Sequence, residues 1–422
     1  MTNMDRPEGR GRSPSGPAGA FGAGKWVYDA PYRGGGDMTG VMRSAPLLGC
    51  IVVGLVLASC RAADPLPEAP PESPIVTVDL EHSGVDYPIY RIPALTITNA
   101  GTLIAAYDGR PTHADVPSHI VLLARRSVDG GRTWLPRQIV REGPEPLGFG
   151  DPSLLVDRQT GRIFLFYVAS VNQGFFGSAT GTDENDPDIQ QTDVSWSDDD
   201  GVSWQHRRIT AAIKDPSWSG LFAASGQGIQ LTQGPHAGRL IQQYVVRLND
   251  ATYAASAMSD DHGETWRMGR LVGPGLDENK TVELSDGRVM LNSRAKPLRL
   301  VAISSDGGET YSEPRGDATL VDPANNGAII RMDPAAPQGS AQARRLVFSN
   351  TADTAERRNL TVRLSCDDGA TWPAARTIEP GVSAYSTLVA FPDGDVGVLY
   401  ERGRSEFITF ARFAPNWPDN CG

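Results

Sequence analysis

The sequence predicts an all-β fold, a six-bladed β-propeller of four-stranded antiparallel blades. Three observations carry that prediction: a boxed turn repeated five times, an apolar hairpin ahead of each box, and no long helical period anywhere in the chain. The first box is Ser127-Val128-Asp129-Gly130-Gly131-Arg132-Thr133-Trp134, and copies run over Ser197–Trp204, Ser259–Trp266, Ser304–Tyr311 and Ser365–Trp372. The pattern is S-x-D-x-G-x-[T/S]-[W/Y]. Its Gly permits a tight turn with φ > 0, and its Asp and Ser/Thr side chains suit the turn's own amides. The aromatic residue anchors the turn on the sheet below. A calcium loop at Asp198-Asp199-Asp200-Gly201 is excluded by the want of alternating oxygen ligands and a distant Glu.

Copies at irregular separations mean a radial repeat. Ahead of each box a turn opens an apolar run: Gly101-Thr102-Leu103-Ile104, Gly161-Arg162-Ile163-Phe164, Gly238-Arg239-Leu240-Ile241, Gly287-Arg288-Val289-Met290 and Arg345-Leu346-Val347-Phe348. A sixth, Gly394 to Leu399, has no box after it. Each unit reads as hairpin, strand, boxed turn and outer strand, and six such units make six blades. The last blade runs out of chain, so Ile75-Val76-Thr77-Val78 is expected to close the ring.

The propeller is expected over 75–415. Before it, residues 1–37 are rich in Gly, Pro and Arg and read as a disordered or over-extended start. Residues 38–60 read as a lipoprotein-type signal peptide: Met42-Arg43, the apolar run Ala45 to Ala58, then Leu57-Ala58-Ser59-Cys60, which resembles a lipobox with Cys60 as the acylated residue. Residues 61–74 form a Pro-rich tether. Export is therefore expected, with lipid anchoring at a bacterial cell envelope, or otherwise secretion. Two cysteines remain for the folded part, Cys366 and Cys421, and nothing in the sequence shows that they meet. The 422 residues carry a net charge of −11, which excludes nucleic acid as a partner and means that an anionic ligand needs a local basic site. The six His are scattered without metal spacing, so neither a metal nor a cofactor is expected. A monomer is expected, with contact to a membrane only through the lipid.

Charged residues recur where apolar inner strands begin or end. Arg91 stands in Tyr90-Arg91-Ile92-Pro93-Ala94-Leu95, where a channel-facing charge needs a partner. Tyr107 to Asp115 leaves the next strand as a loop with a carboxylate at its end. Then come Asn279-Lys280-Thr281-Val282-Glu283-Leu284, Asn292-Ser293-Arg294, Leu298-Arg299-Leu300-Val301, Arg357-Arg358-Asn359-Leu360-Thr361-Val362, Ala384-Tyr385-Ser386-Thr387-Leu388 and Leu399-Tyr400-Glu401.

In this order, Arg-Ile-Pro, five boxes, Arg-x-Asn-Leu-Thr and Tyr-Ser-Thr-Leu resemble the exo-α-sialidase (neuraminidase) family from Val76 to Arg412. Two departures are Tyr311 where a box has Trp, and the doublet Arg357-Arg358, which leaves the third arginine's place open by one residue. The resemblance implies hydrolysis of terminal sialic acids from glycoconjugates with retention of configuration. Arg91, Arg299 and Arg357 would grip the sugar carboxylate, since guanidinium forks match a carboxylate and stay charged. Glu401 would brace Arg91. Tyr385 would attack, because a neutral phenol is not repelled by the substrate's anion, with Glu283 as the base that takes its proton. Asp115 would act as acid and then base. Arg110 and Asp151 are further candidates for sugar contacts, and Phe175-Phe176-Gly177 for an N-acyl pocket. The alternatives are a trans-sialidase, a related enzyme releasing an anhydro product or a deaminated sialic acid (Kdn), and a non-catalytic propeller that binds sialylated glycans.

Overall fold

A computed structural model describes residues 74–415. The segments expected as a disordered or over-extended start (1–37), a lipoprotein-type signal peptide (38–60, with Cys60) and a tether (61–74, all but Pro74), and also Cys421, lie outside the described residues. Six four-stranded blades follow in chain order. The first is Ile89–Ile97, Leu103–Arg110, Val121–Ser127 and Gln138–Arg141, counted from the axis outward, and the second is Gly148–Val156, Ile163–Ser170, Gln191–Ser197 and Gln205–Arg208. The third begins with Gly220–Ala223 and continues through Leu240–Leu248, Ala251–Ser259 and Arg267–Met268. The fourth is Asn279–Glu283, Val289–Ser293, Leu298–Ser304 and Arg315–Val321.

The last two blades share one strand. Ala374–Ala390 pairs with Arg358–Ser365 through its first part and with Val396–Arg402 through its second, so it is outermost in blade five and innermost in blade six. Two blades thus merge into one seven-stranded sheet. The ring closes as the sequence predicts: Val76–His82 pairs antiparallel with Phe407–Phe413 as the outermost strand of blade six.

The core lies between blades. Strands alternate in the faces they present, and each blade covers its two faces with its neighbours. Leu103, Tyr107 and Leu123 of blade one meet Leu399, Ile408 and Phe410 of blade six; Phe164 and Phe166 of blade two meet Tyr244 and Trp266 of blade three. The boxes join the same layers. In the first, the Ser127 hydroxyl accepts the Gly131 amide (2.9 Å), while Asp129 accepts both the amide (3.0 Å) and the hydroxyl (2.6 Å) of Thr133. The four other boxes repeat these bonds. Each turn then rests on the blade before it. A Cβ on Gly263 (φ +82°) would lie 2.2 Å from Phe164, and one on Gly201 would lie 2.6 Å from Ile104. Gly131, Gly308 and Gly369 sit likewise against Phe410, Ile241 and Met290. The repeat is therefore the stitch between consecutive blades. Cys366, in the fifth box, is disulfide-bonded.

Candidate functional site

Innermost and second strands run antiparallel, so the start of one and the end of the other share one end of the propeller. Arg91 and Asp151 lie early in innermost strands, and Glu278 immediately precedes one. Arg110 and Glu401 lie at the ends of second strands, and Arg294 follows one. Contacts tie these residues into a single cluster.

Two bulges aim the first residues inward. The register of blade one slips between Arg91 and Ala94, around Ile92 with φ 59°. Blade two slips between Gly150 and Ser153, around Asp151 with φ 59°. In both, a proline follows the positive-φ residue; proline lacks a ladder donor and is confined to such breaks. A β-branched residue at positive φ is strained by about 1–3 kcal/mol, so the surroundings must hold it. The Glu401 carboxylate does so by accepting the Ile92 amide (2.8 Å), and it pairs with the Arg91 guanidinium (3.3 Å). Glu401 is fully buried, so its charge is concentrated on these two donors.

Tyr385 occupies the centre and is 6% exposed. Guanidinium groups of Arg91, Arg294 and Arg357 lie 5.4, 6.0 and 5.4 Å from its ring centre. Arg294 donates to the phenol oxygen (2.7 Å) and pairs with Glu278 (2.6 Å) and Asp277 (2.8 Å). An arginine only donates, so the phenol keeps its own proton, and the carboxylate that shares the Arg294 guanidinium with it, and whose charge acts on it, is Glu278. Burial lifts the Tyr385 pKa well above the usual phenol range, and Glu278 adds to that, against the pull of Arg294, Arg357 and Arg91. Burial pushes Glu278 in the same sense, but Arg294 and Lys280, with the neighbouring Tyr385 hydroxyl and the bond from Ser225, outweigh it and leave its pKa below the ordinary value. The pair is thus a neutral phenol beside an ionised carboxylate.

Asp115 faces them from the loop after Leu103–Arg110, its side chain 70% exposed. Arg110 donates to it at 2.6 Å, and Arg91 lies 3.8 Å away. Partial burial raises its pKa, and the charges of Arg110, Arg91 and Arg294 lower it further than that, to a net depression. Arg110 is itself fixed by Asp108 (2.6 Å), a carboxylate that burial raises to about 6 against the pull of Arg110. Burial, and then Asp108 and Asp115, push Asp151 well above the carboxylate range.

The structure therefore brings together Arg91, Arg110, Asp115, Asp151, Arg357, Tyr385 and Glu401. Of the doublet, Arg357 faces Tyr385 and donates to Ala324 O (3.1 Å), whereas exposed Arg358 pairs with Asp353 (2.7 Å). Two expectations need correction. Glu283 lies at the far end of its strand, five residues beyond Glu278, or about 16 Å at the strand rise. There it accepts the Thr232 (3.0 Å) and Gln233 (2.9 Å) amides and pairs with Arg331 (3.2 Å), so it is a structural carboxylate. The residue beside Tyr385 is Glu278. Arg299 is fully buried against Asp322 (3.1 Å), Asn325 O (2.6 Å) and Asn292 (2.8 Å). It holds the loop whose Asn325 donates to Ala384 O (2.9 Å) and whose Ala324 accepts Arg357. The arginine at Tyr385 is Arg294, which also lines an open cavity of about 490 Å³ with Asp277, Lys296 and Ala324. Phe175 meets Phe222 edge-on (4.9 Å) while Phe176 is exposed.

Comparison with known proteins agrees with the fold. Residues 101–398 match the BNR repeat-like domain family. The chain is 52% identical over 88% of its length to a sialidase of Micromonospora viridifaciens, and 31% identical over 77% to a sialidase of Bacteroides fragilis. It spans 58% and 62% of those two proteins. Among solved structures, the Hadza microbial sialidase Hz136 superposes with a TM-score of 0.73 at 32% identity, covering 80% of this chain and 68% of that one.

Proposed function

Because this chain belongs to the sialidase family, with a BNR repeat-like domain, we propose that it is an exo-α-sialidase that releases terminal sialic acids from glycans with retained configuration. The observation that carries this reading is the Tyr385 phenol bonded to Arg294, which also pairs with Glu278, inside a ring of three guanidinium groups.

The chemistry follows from that arrangement. Arg91, Arg294 and Arg357 receive the substrate carboxylate, an anion fixed on the anomeric carbon, in a buried setting where guanidinium forks recognise it best. A carboxylate nucleophile would be repelled by that anion, and sialidases are the exception among glycosidases in using Tyr instead. Tyr385 passes its proton to Glu278 as its oxygen bonds to the anomeric carbon. Asp115 gives a proton to the departing glycosidic oxygen, and the bond to the aglycone breaks. In the second step Asp115 takes a proton from water, water displaces Tyr385, and Glu278 returns the phenol proton. Asp115 is ionised in the free protein, held so by Arg110 and Arg91. Substrate carboxylate on the arginines offsets their charge and raises Asp115 toward the protonated form that the first step needs.

The test is product analysis with α2,3-, α2,6- and α2,8-linked sialosides in the presence of lactose. Free sialic acid as the main product supports hydrolysis. Tight binding with no product would assign a sialoglycan-binding propeller, and transfer to lactose a trans-sialidase. We also propose that the protein is exported and anchored through Cys60; the disulfide at Cys366 supports an oxidising compartment. Mass spectrometry of the mature N-terminus decides it, since a start at Arg61 or beyond means plain secretion.

A further inference from the structure

Lys280 is used by none of the steps above, yet it lies at the floor of the same site. It follows by two residues Glu278, which sits at the bend before the strand Asn279–Glu283. The side chain is 1% exposed, and its stem passes so close to Gly226 that a Cβ there would lie 2.8 Å from Lys280 Cε. The ammonium donates to two neutral oxygens, Asn326 Oδ1 (2.9 Å) and the Asn279 carbonyl (3.3 Å). Asn326 donates to Ser225 O (2.9 Å), and the Ser225 hydroxyl donates to Glu278 Oε1 (2.8 Å). A circuit of hydrogen bonds thus leads from Lys280 to the carboxylate beside Tyr385.

A buried ammonium on neutral acceptors is costly, and the cost falls only if an anion stands near. The charged groups facing Lys280 are Glu278 just before its own strand, Arg294 past the second strand of the blade and Arg299 on the third. Two of the three are cations, so Glu278 is the anion that supports it. Asn326 and Gly226, packed against it from other elements, bring no charge. Burial, with Arg299 and Arg294 adding to it, brings the Lys280 pKa down to about 7 against the upward pull of Glu278. The same interaction seen from Glu278 favours its ionised form.

We infer that Lys280 is a positioning residue: its buried ammonium, linked to Glu278 through Asn326 and Ser225, keeps that carboxylate ionised and able to take the Tyr385 proton. The inference rests on the reading of Glu278 as the base in the proposed function. It assigns no bond-making step to Lys280, whose proton stays where it is through the reaction.

The test is the pH profile of kcat/KM for Lys280→Met, which keeps most of the apolar stem and deletes the charge. Loss of one cation beside Glu278 is expected to move the acid limb up by about one pH unit, so activity below both limbs falls about tenfold while the plateau falls less. A limb that stays in place while the whole profile drops overturns the inference, since that is what a packing role produces. If the Met variant does not fold, Lys280→Gln keeps a donor toward Asn326 and is read in the same way. In the unmutated protein, the carbon-13 signal of the Glu278 carboxylate, assigned by its loss in Glu278→Gln, should titrate below the ordinary glutamate value of about 4.3. Titration at or above that value also overturns it. Activity retained by Glu278→Gln would instead sink the reading of the base itself; an inactive Glu278→Gln with an unmoved limb in Lys280→Met sinks only the role of Lys280.

Discussion

Glu278 and Glu283 stand at opposite ends of one short strand, both buried, and exchanging either for Gln separates chemistry from stability. At Glu278 the change keeps shape and removes the acceptor for the Tyr385 proton. Loss of a general base costs about 10²–10⁴ in rate, or about 3–5 kcal/mol of transition-state stabilisation. Arg294 keeps its pair with Asp277 at 2.8 Å, and the stability cost is confined to the Lys280 ammonium, which loses its supporting anion. At Glu283 the balance reverses. Its carboxylate accepts two backbone amides and a hydroxyl from Thr232 and Gln233, and it pairs with Arg331. A carboxamide there turns an NH₂ group toward donors and leaves a buried guanidinium less compensated, which costs about 2–4 kcal/mol. The assay is kcat/KM on a fluorogenic aryl sialoside beside thermal unfolding of each variant. Glu278→Gln is expected to lose at least about a hundredfold in kcat/KM per folded molecule whatever its midpoint, and Glu283→Gln to unfold several degrees earlier with near-normal turnover per folded molecule. A stable Glu283→Gln that has lost turnover would refute this placement of the base.

The arginines give a parallel pair. Arg294→Ala should lose about 2–5 kcal/mol of transition-state binding in kcat/KM, while Arg299→Ala, by stranding Asp322, should cost about 3–5 kcal/mol of stability in denaturant unfolding. Gly263→Ala forces a Cβ to 2.2 Å from Phe164 at φ +82° and should cost about 2–4 kcal/mol. Gly101→Ala, at the same φ with nothing within 4 Å, should cost only about 1 kcal/mol. The box carboxylates set an acid limit. Hydrogen bonds from Ser203 hold Asp199 at about 2, below its unfolded value of 3.8, so its contribution is present above that value and lost as pH falls toward 2. Unfolding temperature should therefore drop between those pH values, and Asp199→Asn should flatten the drop; an unaltered curve would show that the boxes do not set it.

The fold was legible because the boxed turn is a local unit that repeats, and its Ser, Asp, Gly and aromatic residues each have a fixed task that shows in sequence. The closing strand at Val76–His82 followed from the blade count alone. The merging of the last two blades was not legible, since Ala374–Ala390 contains Pro380 and Gly381 and reads there as a break rather than as one strand crossing between sheets. At the site, Arg91, Asp115, Arg357 and Tyr385 stood in distinctive local strings. Glu278 did not, because Glu283 lay nearby in an equally acidic stretch. The available signal was position along the strand. Arg91 and Asp151 come early in innermost strands, and Glu278 keeps that rule while Glu283, next to the Ser285-Asp286-Gly287 turn, breaks it. Arg299 stood at the proper end of the blade but on its third strand, where the side chain enters the layer shared with Phe348 rather than the open site. The Lys280 circuit passes through Ser225 and Asn326, residues far apart in sequence that only the closed ring brings together.

The most direct test of the account is the configuration of the first-formed product, followed by proton NMR in the unmutated enzyme and in Tyr385→Phe. Attack by Tyr385 and then by water inverts the anomeric centre twice, so the sialic acid released first should be the α anomer, which mutarotates only afterwards. Tyr385→Phe keeps the ring among its three arginines, so it should fold normally, turn over at least about a hundredfold more slowly, and release the β anomer in any residual hydrolysis by direct attack of water. Direct release of the β anomer by the unmutated enzyme, or a Tyr385→Phe variant of near-normal rate, would contradict the assignment of Tyr385 as nucleophile.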